Sequence, residues 1–204
     1  ELTVSVSNYT LRGSGVNSVI KCKSATDTHL IKFLGLIGTY LDNVSVTNLT
    51  IDGNRSNQST VGNNRKGLSF KYCNGVNVSG NIIRNMGSVD AAWAGQAIGK
   101  GVHVNNCTNV RINNNYLLAN VMSISVAEGS NEGLTFPADS MEDIQVCNNY
   151  IDQVSGTYKG GDAISLQVKR GTLVSGNIIK NIILGVGLII IFILSSPWLP
   201  PKVF

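Results

Sequence analysis

One short phrase of residues is written several times in this chain, and that repetition limits the possible folds more than any other feature. Residues 101–118 hold two runs of alternating apolar side chains, Val102 with Val104 and then Val110 with Ile112, and Asn115 follows the second run. Residues 67–83 and 163–179 rewrite the same phrase. Apolar residues at a spacing of two are the signature of a strand with one buried face. The last apolar residue of the second run falls at Val6, Val46, Val78, Ile112, Val146 and Val174, giving spacings of 40, 32, 34, 34 and 28 residues. Spacings this near to regular, yet elastic, indicate a stacked unit with connections of variable length.

Asn81, Asn115, Asn149 and Asn177 stand three residues beyond the marker, each followed by a bulky pair such as Ile82-Ile83 or Tyr116-Leu117. In the two earliest repeats Asn8 and Asn48 stand one place sooner. Asn tolerates a left-handed bend and carries an amide that can bond to its copy in the next repeat, so these residues predict a ladder at a corner. Thirteen residues before the ladder, Leu68, Val102 and Ile164 begin a further strand, and Leu36 is aligned with Leu68. Each unit then holds three strands and three bends. No such unit can bury its apolar face alone, but a stack of them encloses a continuous core. The inward set is Val102, Val104, Val110, Ile112 and their equivalents.

The unit 109–117 and its copies resemble the single-stranded right-handed parallel β-helix of the pectate-lyase-like superfamily. The resemblance implies an all-β solenoid with about six rungs and an Asn ladder, over residues 1–190. An irregular hydrophobic tail over 191–204 follows, and the chain reads as a fragment of a longer domain. The apolar run 182–194 counts 13 residues, short of the roughly 20 needed to span a bilayer, so a final rung is expected rather than an anchor.

Composition narrows the function. The 204 residues carry a net charge of +4 with no run of basic residues, which argues against a nucleic-acid stripe. Cys22, Cys73, Cys107 and Cys147 form no CxxC pair, and Cys73 and Cys107, one repeat apart, read as stacked thiols. No metal site is expected from the residues, and no cofactor is firmly implied.

The resemblance places ligands on the outer face of the first strand of each rung, between long loops. That face holds Ser69, His103, Ser125 and Ser165, followed two residues on by Lys71, Asn105 and Gln167, and preceded by Lys66, Lys100 and Asp162. The longest insertions are 85–99, 127–143 and 152–161, and long loops on a rigid scaffold are where sites gather. Glycoside hydrolysis needs two carboxyl groups across the scissile bond; Asp90, Glu128 and Asp162 are the candidates. A lyase needs a base and a positive charge beside the sugar carboxylate; Lys100 and His103 are the candidates, and Ca²⁺ would serve such a lyase. Trp93, Tyr158, Lys66 and Gln167 are candidate substrate contacts.

Two readings follow: a domain that binds and cleaves an extended polysaccharide, or a non-catalytic shaft or adhesin. Both imply an extracellular, cell-surface or virion location. A tailspike-like member would be a homotrimer, with polysaccharide as its partner.

Overall fold

The computed structural model describes residues 1–25, 28–58, 66–87, 99–127, 141–152, 163–168 and 170–181. Eighteen short strands, β1 to β18 in chain order, form three six-stranded parallel sheets. The first sheet holds β1 (Leu2–Val4), β4 (Ile31–Leu34), β7 (Lys66–Lys71), β10 (Lys100–Asn105), β13 (Met122–Ala127) and β16 (Ile164–Leu166). The second holds β2 (Thr10–Arg12), β5 (Leu41–Thr47), β8 (Cys73–Ser79), β11 (Thr108–Asn113), β14 (Glu142–Cys147) and β17 (Arg170–Ser175). The third holds β3 (Val19–Lys21), β6 (Thr50–Asp52), β9 (Ile82–Arg84), β12 (Tyr116–Leu118), β15 (Tyr150–Asp152) and β18 (Ile178–Lys180). The chain visits the three sheets in turn and climbs one strand each time, so six rungs stack into the expected parallel β-helix.

Like residues meet along the stack. Leu68 pairs with Val102, Val102 with Ile124, and Ile124 with Ile164. The inward residues Val102, Val104, Val110 and Ile112 are fully buried. Phe33 and Phe70 stack one rung apart with ring centroids 4.8 Å from each other. Removing these faces from water is the main favourable term in folding, at about 25 cal/mol per Å² of apolar surface.

The corner between the second and third sheets carries the amide ladder. Asn81 Nδ2 donates to Asn115 Oδ1 at 3.1 Å, Asn115 to Asn149 at 3.0 Å, and Asn149 to Asn177 at 3.0 Å. The second hydrogen of each Nδ2 goes back to the previous rung, to the carbonyls of Val46, Val78 and Ile112 respectively. Hydrogen bonds this complete offset the cost of taking the amide out of water.

Sulfur takes the equivalent part at the corner between the first and second sheets. The Cys73 N–H donates to Cys107 Sγ at 3.3 Å, and the Cys107 N–H to Met141 Sδ at 3.1 Å. All four cysteines are free thiols, and burial pushes the Cys107 thiol well above its usual range.

Three expectations are corrected. The left-handed bend falls one residue before the ladder Asn, at Asn48, Gly80, Asn114, Asn148 and Gly176, all with positive φ. Asn48 is therefore the bend residue of its rung, and Leu49 takes the place that Asn81 holds in the next. The partner of Val46 in the first rung is Leu11, not Val6, because Asn8 is itself left-handed and the chain turns there before its second strand begins. Leu36 does not pair with Leu68; Ile31 does. Leu36 sits 68% exposed in a tight turn closed on Thr39.

Candidate functional site

The outer face of the first sheet carries one column of register partners. Lys32 pairs with Ser69, Ser69 with His103, His103 with Ser125, and Ser125 with Ser165. Alternation along each strand turns these residues away from the core. A second column, two residues on, runs Leu34, Lys71, Asn105 and Ala127. Lys66 and Lys100 pair at the start of β7 and β10. Parallel strands lie about 4.8 Å apart, so the sheet holds several cationic side chains within a few strand spacings.

A groove of about 490 Å³ opens over the lower rungs of this face. Its floor is Ser69, His103, Lys71 and Asn105; Lys32, Lys66, His29, Thr28 and Glu1 form its walls. The Glu1 carboxylate accepts hydrogen bonds from Thr28 Oγ1 at 2.8 Å and Thr3 Oγ1 at 3.1 Å. Burial pulls that carboxyl upward, but these hydrogen bonds and the charges of His29 and Lys32 hold it below the usual range.

His103 lies at the centre of the column and is 7% exposed. Its Nδ1 is 3.3 Å from Ser125 Oγ. Burial first, and then the charges of Lys100, Lys66 and His29, push the imidazole well below its ordinary value. His103 is consequently neutral at pH 7. Burial also lowers Lys100. Asn105 lines the groove, and its buried Oδ1 has no hydrogen-bond partner among the described residues.

Several lysines and a neutral imidazole in one groove are groups whose chemistry suits an anion. Among the described residues of the groove, Glu1 supplies the single carboxylate, and no cluster of three His, Cys, Asp or Glu side chains among the described residues could hold a metal ion. Ca²⁺ takes six to eight oxygen ligands, of which the described residues of the groove supply one carboxylate, that of Glu1.

Of the residues singled out in the sequence, Lys66 and His103 line the groove, and Lys100 lies beside Lys66 close enough to act on His103. Gln167 follows β16 and is exposed, two strands along the sheet from His103 and outside the groove. Asp90, Trp93, Glu128, Tyr158 and Asp162 lie outside the described residues. Lys32 and His29 were not expected. Lys32 was legible in principle: aligning Ile31 rather than Leu36 with Leu68 puts Lys32 directly in the Ser69 column.

No family model matches the chain, and no curated protein matches it. A solved structure of ORF18 from Geobacillus virus E2 is similar at 14% sequence identity and a TM-score of 0.36, over 91% of this chain and 50% of that one. The chain thus spans about half the length of that phage protein.

Proposed function

We propose that this chain is a carbohydrate-active β-helix domain of the pectate-lyase-like kind, which binds an extended anionic polysaccharide along the outer face of its first sheet. The observation that carries the reading is the groove in which Lys32, Lys66 and Lys71 surround His103. The lysines meet the carboxylate or sulfate groups of the chain. Water-exposed ion pairs are individually weak, so affinity builds over several sugar units laid across successive rungs.

Cleavage on this face takes the form of elimination. His103, neutral at pH 7, accepts the proton next to a sugar carboxylate while Lys66 and Lys100 balance the charge that develops there. The electron pair forms the new carbon–carbon double bond, the bond from carbon to the glycosidic oxygen breaks, and that oxygen takes a proton from water. Hydrolysis by Asp90, Glu128 and Asp162 is the competing chemistry. Such an activity places the protein outside a cell or on a virion.

The near-complete burial of His103 and Ser125, at 7% and 4% exposure, favours a second reading, a shaft or adhesin without turnover. A panel of anionic and neutral glycans separates them, with binding measured by calorimetry and cleavage by reducing ends and by the ultraviolet absorbance of unsaturated products. The proposal expects binding of the anionic glycans and an unsaturated signal. Reducing ends without that signal assign hydrolysis; binding without products assigns the adhesin; no binding by folded protein removes the glycan reading altogether.

A further inference from the structure

Lys100 keeps unusual company for a lysine. It opens β10, and its register partner at the start of β7 is Lys66. Two ammonium groups therefore rise from neighbouring strands whose backbones lie about 4.8 Å apart. Like charges placed opposite each other in a sheet are destabilising, and carboxylates usually separate them. Among the described residues no carboxylate forms an ion pair with Lys100. Both lysines act on His103, further along β10, and so does His29. Lys66, Lys32, His29 and His103 line the groove. Lys100 thus stands at the edge of a cavity, within a cluster of cationic groups.

The residue is partly buried, and burial holds its ammonium below the ordinary value. A lysine in such a place keeps more of its amine neutral, and the neutral amine is a nucleophile. Desolvation beside a second cation is one way in which imine-forming lysines are activated.

We propose that Lys100 is a covalent capture site for small carbonyl compounds that also carry a carboxylate, namely aldehyde acids and keto acids. The Nζ lone pair adds to the carbonyl carbon, and the carbonyl π pair moves onto its oxygen. A proton passes from nitrogen to that oxygen and gives a carbinolamine. The nitrogen lone pair then forms the C=N bond as the C–O bond breaks. The departing hydroxide takes the remaining nitrogen proton and leaves as water. The products are an imine and water, and no oxidant or reductant is needed. Lys66, Lys32 and His29 attract the carboxylate, and the groove of about 490 Å³ has room for a ligand of this size. No polysaccharide is required, so the site stands whether or not a glycan binds.

Reductive trapping of the native full chain tests this. Sodium cyanoborohydride converts an imine to a stable secondary amine, and peptide mass spectrometry then reads which lysine carries it. With limiting glyoxylate at neutral pH, Lys100 is expected to be labelled about tenfold faster than the exposed Lys21. Glycolaldehyde, which has no carboxylate, should label Lys100 more slowly than glyoxylate does. Lys100→Arg keeps the charge and removes the amine, so it should keep its β-sheet circular dichroism and lose the fast label. Pyruvate, which occupies the amine reversibly, should slow glyoxylate labelling at Lys100 and leave Lys21 unchanged, and this needs no variant. Label spread evenly over the exposed lysines overturns the proposal. So does a fast label that survives Lys100→Arg, equal rates for the two aldehydes, or pyruvate protection that is equal at Lys100 and Lys21.

Discussion

Asn115 Oδ1 accepts two hydrogen bonds from the rung before it, from the backbone N–H and the side-chain Nδ2 of Asn81, both at 3.1 Å. One oxygen therefore satisfies a backbone donor and a side-chain donor in a place closed to water. Replacing Asn115 by Ala orphans both donors and the Val78 carbonyl, which takes the other Asn115 hydrogen at 2.9 Å. Each buried orphan costs about 1–3 kcal/mol, partly relieved by relaxation. Asn115→Ala is expected to lose about 3 kcal/mol overall, read from the midpoint of urea unfolding.

His103 gives the fold a pH dependence of definite sign. Its imidazole is held well below the ordinary value, whereas the unfolded chain titrates it near about 6.5. Below that pH the unfolded state takes up a proton that the folded state refuses, so stability falls as the pH drops from about 6.5 toward the depressed folded value. Above about 6.5 neither state is protonated and His103 contributes no slope. Unfolding midpoints measured through this window should fall with acid in the native sequence, and His103→Gln should flatten that part of the curve.

An anionic glycan reverses the same balance. A bound carboxylate next to His103 favours the protonated ring, so binding should take up a proton and tighten as the pH is lowered through the imidazole range. Calorimetry in two buffers of different ionisation enthalpy measures that uptake directly. Lys32→Glu should weaken binding by about tenfold, and added salt should weaken it further while leaving any neutral glycan unaffected.

The strand register of the groove has its own tight point. A Cβ on Gly101 would come within 2.6 Å of the Ser123 carbonyl oxygen and 3.2 Å of Leu117 Cδ2. The first contact is with backbone, which can yield only if the rungs separate. Gly101→Ala should cost about 1–3 kcal/mol and lower glycan affinity, since Lys100 adjoins the displaced residue and His103 lies two positions on. Thermal unfolding and calorimetry on the one variant check both.

The stacked thiols should be silent until the chain unfolds. Cys73 and Cys107 are fully buried, and burial pushes the Cys107 thiol up, away from its reactive thiolate. A thiol reagent such as Ellman's should label neither of them in the native protein and both in urea.

The middle rungs were legible because each states its pattern twice, once in the alternating Val and Ile and once in the Asn that follows. The reading slipped by one residue at the corner because Asn113, Asn114 and Asn115 are chemically alike in sequence; only Asn114 takes the left-handed turn. It slipped further at Val6 and Leu36, where a turn residue interrupts the alternation and brings an exposed side chain into apparent phase with the core. The consequence reached the site, since the misaligned Leu36 hid Lys32. The register of His103, and the place of Lys66 and Lys100 at the start of their strands, was legible because those strands keep strict alternation.

The amide ladder also has a direction. Every Nδ2 along Asn81, Asn115 and Asn149 reaches toward the later rung, and every Oδ1 receives from the earlier one. A rung that has just been laid down thus presents a donor for which only its successor holds the matching acceptor. Growth in the order of synthesis extends this polarised row one amide at a time, whereas a strand arriving from the other side meets the Oδ1 acceptor, as the Leu49 N–H meets Asn81 at 3.3 Å. The Asn column therefore acts as a template with an arrow, and the solenoid it builds is vectorial.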